Sequence, residues 1–290
     1  MFESTGQFHR IPVGFGPAPS PRQNKEGKKF DWSNAEAHLT GVVYDVGREE
    51  LNALLPEGYE VDPECEQPTV LFEVMNLRNL PWLAGRGYNT WGVYAGNVKC
   101  TRVSPPVIAS YQLVLFESFT DPIVTGREEL GFCKMYADLP DPKIENGNFV
   151  HTASWFGTEF MRLEVPNLTF RPVEESPSFK PRPYTVPGVN GIIHHRYVPA
   201  VGEPGKHDAS YATFMPGRGT NLPKIKKFAT TTSPLEDIQF SITSHPWEKL
   251  PTLWNIVDGL ASLKLGKPRE FLYQIDDGAG DCGSNKRIEK

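Results

Sequence analysis

Apolar positions along the chain gather in short runs broken by Gly and Pro, and helical spacing is uncommon. Residues 39–44, 69–75 and 107–116 read as strands, the last (VIASYQLVLF) rich in β-branched and aromatic residues. Glu73 is the only charge inside the apolar run 69–75. Residues 149–165 read as a hairpin turning near Gly157, and residues 192–198, 237–243 and 270–275 as further strands. Two segments read as helices. Residues 49–55 form a short one stopped before Pro56. Residues 250–263 form a longer one, with Leu253, Ile256, Val257, Leu260 and Leu263 along one apolar face. The class is therefore α+β, mainly β, built on a large curved antiparallel sheet or barrel with few helices. The inside of such a sheet holds a small ligand away from water.

The 27 prolines and 26 glycines agree with many turns and short strands. They also mark the ends. Residues 1–35 read as an extended arm, with Pro17, Ala18, Pro19, Ser20 and Pro21 in alternation; residues 36–276 read as the folded domain, and residues 277–290 as a flexible tail. A net charge of −5 argues against nucleic acid as the partner, since phosphate binding needs a basic surface. No run approaches the length of a membrane helix, and Met1 to Ser20 lacks an apolar signal core, so a cytoplasmic protein is expected. Cys65, Cys100, Cys133 and Cys282 form no CxxC pair, which gives no sign of a structural zinc or a disulfide framework. His194 and His195 are adjacent in a strand and point to opposite faces, so they do not share an ion. Neither a metal nor a cofactor is expected.

The chemistry centres on residues 126–135 (GREELGFCKM), which set Lys134 among apolar and sulfur-bearing neighbours after a Gly-Arg-Glu turn. A lysine stripped of water favours its neutral amine, and a neutral amine attacks a carbonyl to form a Schiff base. Glu73, a carboxylate in an apolar strand, reads as an acid or base. Trp82, Tyr88 and Trp91 form an aromatic neighbourhood suited to a large ligand. Arg127 and Glu128 read as a structural clamp, and Cys133 as a small buried residue.

The run from Gly126 to Lys134 resembles the signature of the acetoacetate decarboxylase family, Gly-Arg-Glu, two or three residues, then aromatic-Pro-Lys-Lys. Gly41-Val42-Val43-Tyr44 with residues 51–56 (LNALLP) is similar to the family's early strand, helix and Leu-Pro turn. Residues 71–75 resemble its acidic strand, and residues 250–261 with Leu272-Tyr273 its last helix and strand. The resemblance spans roughly residues 36–276 and is strongest from 39 to 140. It implies a cone-like β-barrel, assembly into homo-oligomers, and a Schiff-base lysine that expels CO2 from a β-keto acid. Lys134 then falls on the nucleophile and Glu73 on one of two pocket glutamates.

The departures from that pattern are informative. Met135 stands where the family has a second lysine and Cys133 where it has proline; the second glutamate falls near Thr90 and the substrate-facing arginine near Ala37. Arg78 and Arg86 stand as replacements for that arginine. A substrate carboxylate needs a cation or convergent donors, so acetoacetate itself is not the expected substrate. The expectation is a cofactor-free, lyase-type enzyme of specialised metabolism acting on a ketone or keto acid. Lys134 and Glu73 are its catalytic residues, and Trp82, Arg86, Tyr88, Thr90, Trp91, Phe132 and Met135 surround its substrate. The reaction is decarboxylation or aldol addition with dehydration. The alternative is a barrel that binds or cyclises a large hydrophobic metabolite without covalent chemistry.

Overall fold

The computed structural model of the chain describes residues 20–172, 191–217, 224–278, 280 and 283–289. Pro17, Ala18 and Pro19 of the expected arm and Cys282 lie outside the described residues.

In chain order the elements are β1 (Glu36–Asp45), α1 (Arg48–Asn52), β2 (Tyr59–Val61), β3 (Thr69–Leu80), β4 (Arg86–Cys100), β5 (Val107–Glu117), α2 (Thr120–Thr125) and a π-helical turn (Gly126–Leu130). There follow β6 (Lys134–Tyr136), β7 (Lys143–Glu145), β8 (Asn148–Trp155), β9 (Thr158–Pro166), β10 (Leu168–Pro172), β11 (Ile192–Pro199) and β12 (His207–Met215). The last are β13 (Lys224–Thr231), β14 (Gln239–Ile242), α3 (Trp254–Ala261), β15 (Pro268–Asp277) and β16 (Lys286–Arg287).

One large curved sheet runs in the order β10-β13-β15-β1-β3-β4-β5-β11-β12-β16, with β2 added on β4 and β6 on β5. Among the described residues it stays open between β10 and β16, so the expected mainly β architecture takes its curved-sheet form. It is not wholly antiparallel. Both β11 and β6 run parallel to β5, because the chain crosses over before each of them instead of turning back in a hairpin.

Alternation along the strands gives the sheet two different faces. In β3, Phe72 and Val74 point to one side, and Glu73, Met75 and Leu77 to the other, where they line a cavity. On the first side a second sheet, ordered β14-β9-β8-β7, packs through aromatic contacts. Phe240 of β14 meets Phe72 at a ring separation of 4.2 Å and Trp91 at 6.1 Å, and Phe116 meets Phe160 at 5.3 Å. Burial of each such ring contributes about 1.5–3 kcal/mol. Helix α3 buries Val257 and Leu260 against the same core.

Residues 283–289, within the stretch expected to hang free, are tied down. β16 pairs antiparallel with β12, and Ile288 packs on the core. Backbone pairing and an apolar contact hold this segment, and its polar composition does not reveal either.

Candidate active site

Lys134 opens β6, a strand too short to stand without its neighbour. Pairing with β5 sets Lys134 opposite Leu115, and the Leu115 N–H donates to the Cys133 carbonyl at 2.9 Å. The preceding π-helical turn ends at Gly131, whose φ of 78° is left-handed backbone that glycine adopts without a Cβ clash. Gly126 has a different function. A Cβ there would sit 2.4 Å from Cε and 2.6 Å from Nζ of Lys134, so only glycine lets the lysine lie along the turn. Arg127 donates from Nη1 to the Lys134 carbonyl at 3.0 Å, the clamp expected of it. The Gly-Arg pair at the head of the motif thus shapes the bed of the lysine.

The lysine is 8 % exposed. Its Nζ lies 2.8 Å from Oε1 of Glu117, donates to the Pro122 carbonyl at 3.0 Å, and stands 5.2 Å from the centre of the Phe132 ring. Glu117 closes β5 and is 1 % exposed. Burial pushes its carboxyl above the usual carboxylate range, opposed by the Lys134 charge and hydrogen bond. A carboxyl raised in this way can hold a proton beside an amine.

Glu73 is 2 % exposed and lines the same cavity, flanked in register by Gly41 of β1 and Gly92 of β4. The space that Gly92 leaves is taken by the Tyr94 ring, another residue of the cavity wall. Thr90 stands directly opposite Glu117 across the β4–β5 pair. The strand position where the family resemblance expects a carboxylate is therefore threonine, and it faces a buried carboxylate, Glu117, on the next strand.

The cavity holds about 190 Å³. At one side lie Lys134, Glu117 and Glu73; at another, Trp32, Leu77, Leu80, Trp82 and Tyr88 form an apolar wall that belongs to a small cluster of its own. Arg22 also lines the cavity. It is buried, its Nε lies 3.8 Å from Oε2 of Glu129, and its backbone is tied by an N–H donated to Ser20 Oγ at 3.1 Å.

Of the residues expected around a ligand, Trp82, Tyr88, Thr90 and Phe132 share the cavity with Lys134 and Glu73. Three others lie elsewhere. Trp91 alternates with Thr90 and so faces the second sheet, packed against Phe240 and His151. Met135 follows Lys134 in β6 and turns to the opposite side, its Sδ 3.8 Å from Arg127 Nη1. Arg86 is exposed at the start of β4 and donates to the Leu83 carbonyl. Arg78 likewise lies off the cavity, paired with Asp141 at 2.6 Å. His194 and His195 point to opposite faces: His194 is fully buried on Phe132, and His195 bonds Tyr59 Oη at 3.0 Å.

Residues 11–227 match the acetoacetate decarboxylase family. The chain belongs to the acetoacetate decarboxylase family. Its fold is similar to an acetoacetate decarboxylase from Legionella pneumophila (16 % identity, TM-score 0.54, 94 % of each chain covered). It is also similar to an acetoacetate decarboxylase-like enzyme from Sphingomonas wittichii RW1 (15 %, TM-score 0.56, covering 94 % of this chain and 100 % of that one). A third is the enduracididine biosynthesis enzyme MppR, solved with the condensation product of pyruvate and imidazole 4-carboxaldehyde (12 %, TM-score 0.52, covering 86 % and 87 %). No curated protein matches the sequence. This family member is an enzyme of the acetoacetate decarboxylase-like superfamily.

Of the charged residues that line the cavity, sequence reading does not reach Glu117 and Arg22. Glu117 carries the same signal as Glu73, a lone carboxylate joined to an apolar strand, but the apolar run 107–116 stops one residue short of it, and β5 includes it. Arg22 lies in the Pro-rich arm, where nothing local marks an arginine that turns inward.

Proposed function

We propose that this family member forms an imine between Lys134 and the ketone of a keto acid, and uses that imine to break or make a carbon–carbon bond. The observation that carries the reading is the Lys134–Glu117 pair, 2.8 Å apart and closed off from water in a largely apolar cavity. Glu117 accepts the ammonium proton, and the neutral amine adds to the carbonyl. The carbinolamine then loses its hydroxyl as water with the proton held by Glu117, leaving an iminium that withdraws electrons from the neighbouring bonds. From a β-keto acid the iminium releases CO2 and leaves an enamine, which takes a proton at carbon from Glu73. From a 2-keto acid Glu73 removes a proton beside the iminium, and the enamine carbon adds to an aldehyde, with loss of water afterwards. Hydrolysis of the final imine frees Lys134.

Arg22 gives the substrate carboxylate its cation. A guanidinium binds carboxylate through two parallel hydrogen bonds, and a substrate that does so competes with Glu129 for Arg22. Phe132, Thr90 and Tyr88 border the bound molecule. The apolar wall of Trp32, Trp82 and Tyr88 fits a substrate with a larger apolar group than the methyl of acetoacetate. Taken alone, that wall favours a second reading, a site that binds or cyclises a hydrophobic metabolite without covalent chemistry.

Exchange of carbon-bound protons separates the readings. Keto acids incubated with the enzyme in heavy water should lose the protons beside the carbonyl, as followed by NMR, and Lys134→Ala should abolish the exchange. Binding without exchange across a panel of keto acids would favour the non-covalent site.

A further inference from the structure

Residues 283–289 run from the cavity, which Ser284 lines, to the edge of the large sheet, where β16 pairs with β12. Asn285 donates from Nδ2 to the carbonyl of Leu130, the last residue of the π-helical turn, and to Thr213 Oγ1 at 3.4 Å. Lys286 and Arg287 pair with Phe214 and Thr213 of β12, and the Arg287 guanidinium lies 4.0 Å over the Tyr211 ring. The Ile288 N–H donates to the Ala212 carbonyl at 3.1 Å. The final anchor is the firmest. Glu289 accepts from Nε and Nη2 of Arg102, both at 2.7 Å, and from the Ala212 N–H at 2.9 Å.

A bidentate, partly buried arginine–carboxylate pair fixes position as well as contributing energy. Here it fixes a segment with little apolar anchorage, among whose exposed residues is the one at the cavity rim. Ser284 is exposed, so its side chain meets whatever enters. The neighbouring wall is made by Ile192 of β11 and Met215 of β12, and β12 is also the strand that β16 extends.

The structure assigns to residues 283–289 the selection of substrate size: Ser284 is the specificity-determining residue at the rim, and Arg102–Glu289 is the positioning pair that holds it there. The inference rests on the reading that the cavity receives the keto acid. Substitutions at the two ends of the segment then act in opposite directions. A bulky side chain at Ser284 excludes long substrates, whereas release of the clamp admits them more freely.

The test compares pyruvate with benzylpyruvate, which differ by an arylmethyl group beyond the shared keto acid, in the proton-exchange assay. Ser284→Trp should lower the benzylpyruvate-to-pyruvate ratio of kcat/KM by about tenfold. Glu289→Ala and Arg102→Ala should each raise the ratio by about three- to tenfold, and the double variant should do no more than either alone. Ratios that stay at the wild-type value in all four variants while exchange persists would overturn the assignment. Should wild type exchange no protons, the imine reading falls, and the same ratio is read from Kd by quenching of Trp32 and Trp82 fluorescence; unchanged ratios there overturn the inference too.

Discussion

Lys134 and Glu117 meet at 2.8 Å at the adjoining ends of two parallel strands, and neither side chain is more than a tenth exposed. Taking one partner from a buried pair leaves the other's charge without compensation, which costs about 3–5 kcal/mol, whereas replacing both by neutral groups costs far less. Glu117→Gln should therefore lower stability by that order and slow proton exchange by about a hundred- to ten-thousand-fold. The double variant Lys134→Met with Glu117→Gln should recover most of the stability and none of the activity. Urea unfolding and NMR exchange measure the two effects. A Glu117→Gln enzyme with full activity would remove Glu117 from the proton path.

Gly126 tests the bed of the lysine. Since an added Cβ would fall 2.4 Å from Lys134 Cε, Gly126→Ala must push the lysine off the turn. We expect the loss of proton exchange, with a stability cost of about 1–3 kcal/mol as for other overpacked sites. Equal loss of activity and of folded protein would show that the glycine serves the fold alone.

Arg22 should matter only to charged substrates. Arg22→Gln is expected to raise KM for keto acids by about tenfold or more, the effect of losing a charge-assisted contact. It should leave KM for a neutral ketone near the wild-type value. Equal effects on both would place the substrate carboxylate elsewhere.

Two buried imidazoles govern the response to acid. Burial pushes His151 and His194 down to about 3, with the Lys134 charge adding to the effect on His194. Both are neutral in the fold, while in the unfolded chain each takes a proton near its ordinary value of 6.5. Their contribution to stability is therefore present above that pH and lost as pH falls, at about 1.4 kcal/mol per pH unit for each histidine. Urea midpoints measured between about pH 7.5 and pH 5.5 should fall with acid, and His151→Gln or His194→Gln should make the slope shallower. An unchanged slope in both variants would contradict the assignment.

Much of the fold was legible because burial on one or both faces leaves a clear apolar pattern. Residues 39–44, 107–116 and 192–198 lie within β1, β5 and β11, and the hairpin about Gly157 is β8 and β9. β4 escaped notice, although it forms the centre of the cavity wall. Its sequence RGYNTWGVYAGNVKC mixes Gly, Asn and aromatics, because one face packs on the core while Tyr88, Thr90 and Tyr94 on the other line the cavity. The helix expected over 250–263 begins only at Trp254, since residues 250–253 close turns first. Lys134 and Glu73 could be read from local context, each being a charge set in apolar sequence. Arg22 could not, because its place in the cavity depends on how residues 20–32 fold back over the sheet, which the Pro-rich composition does not encode locally.

The central claim is that Lys134 is a nucleophile. Reduction with borohydride in the presence of pyruvate, followed by peptide mass mapping, tests it most directly. The account predicts one reduced adduct, on the peptide carrying Lys134, absent from Lys134→Ala and weakened in Glu117→Gln. An unmodified Lys134 across a broad panel of ketones and keto acids, or equal labelling of Lys134→Ala, would contradict it.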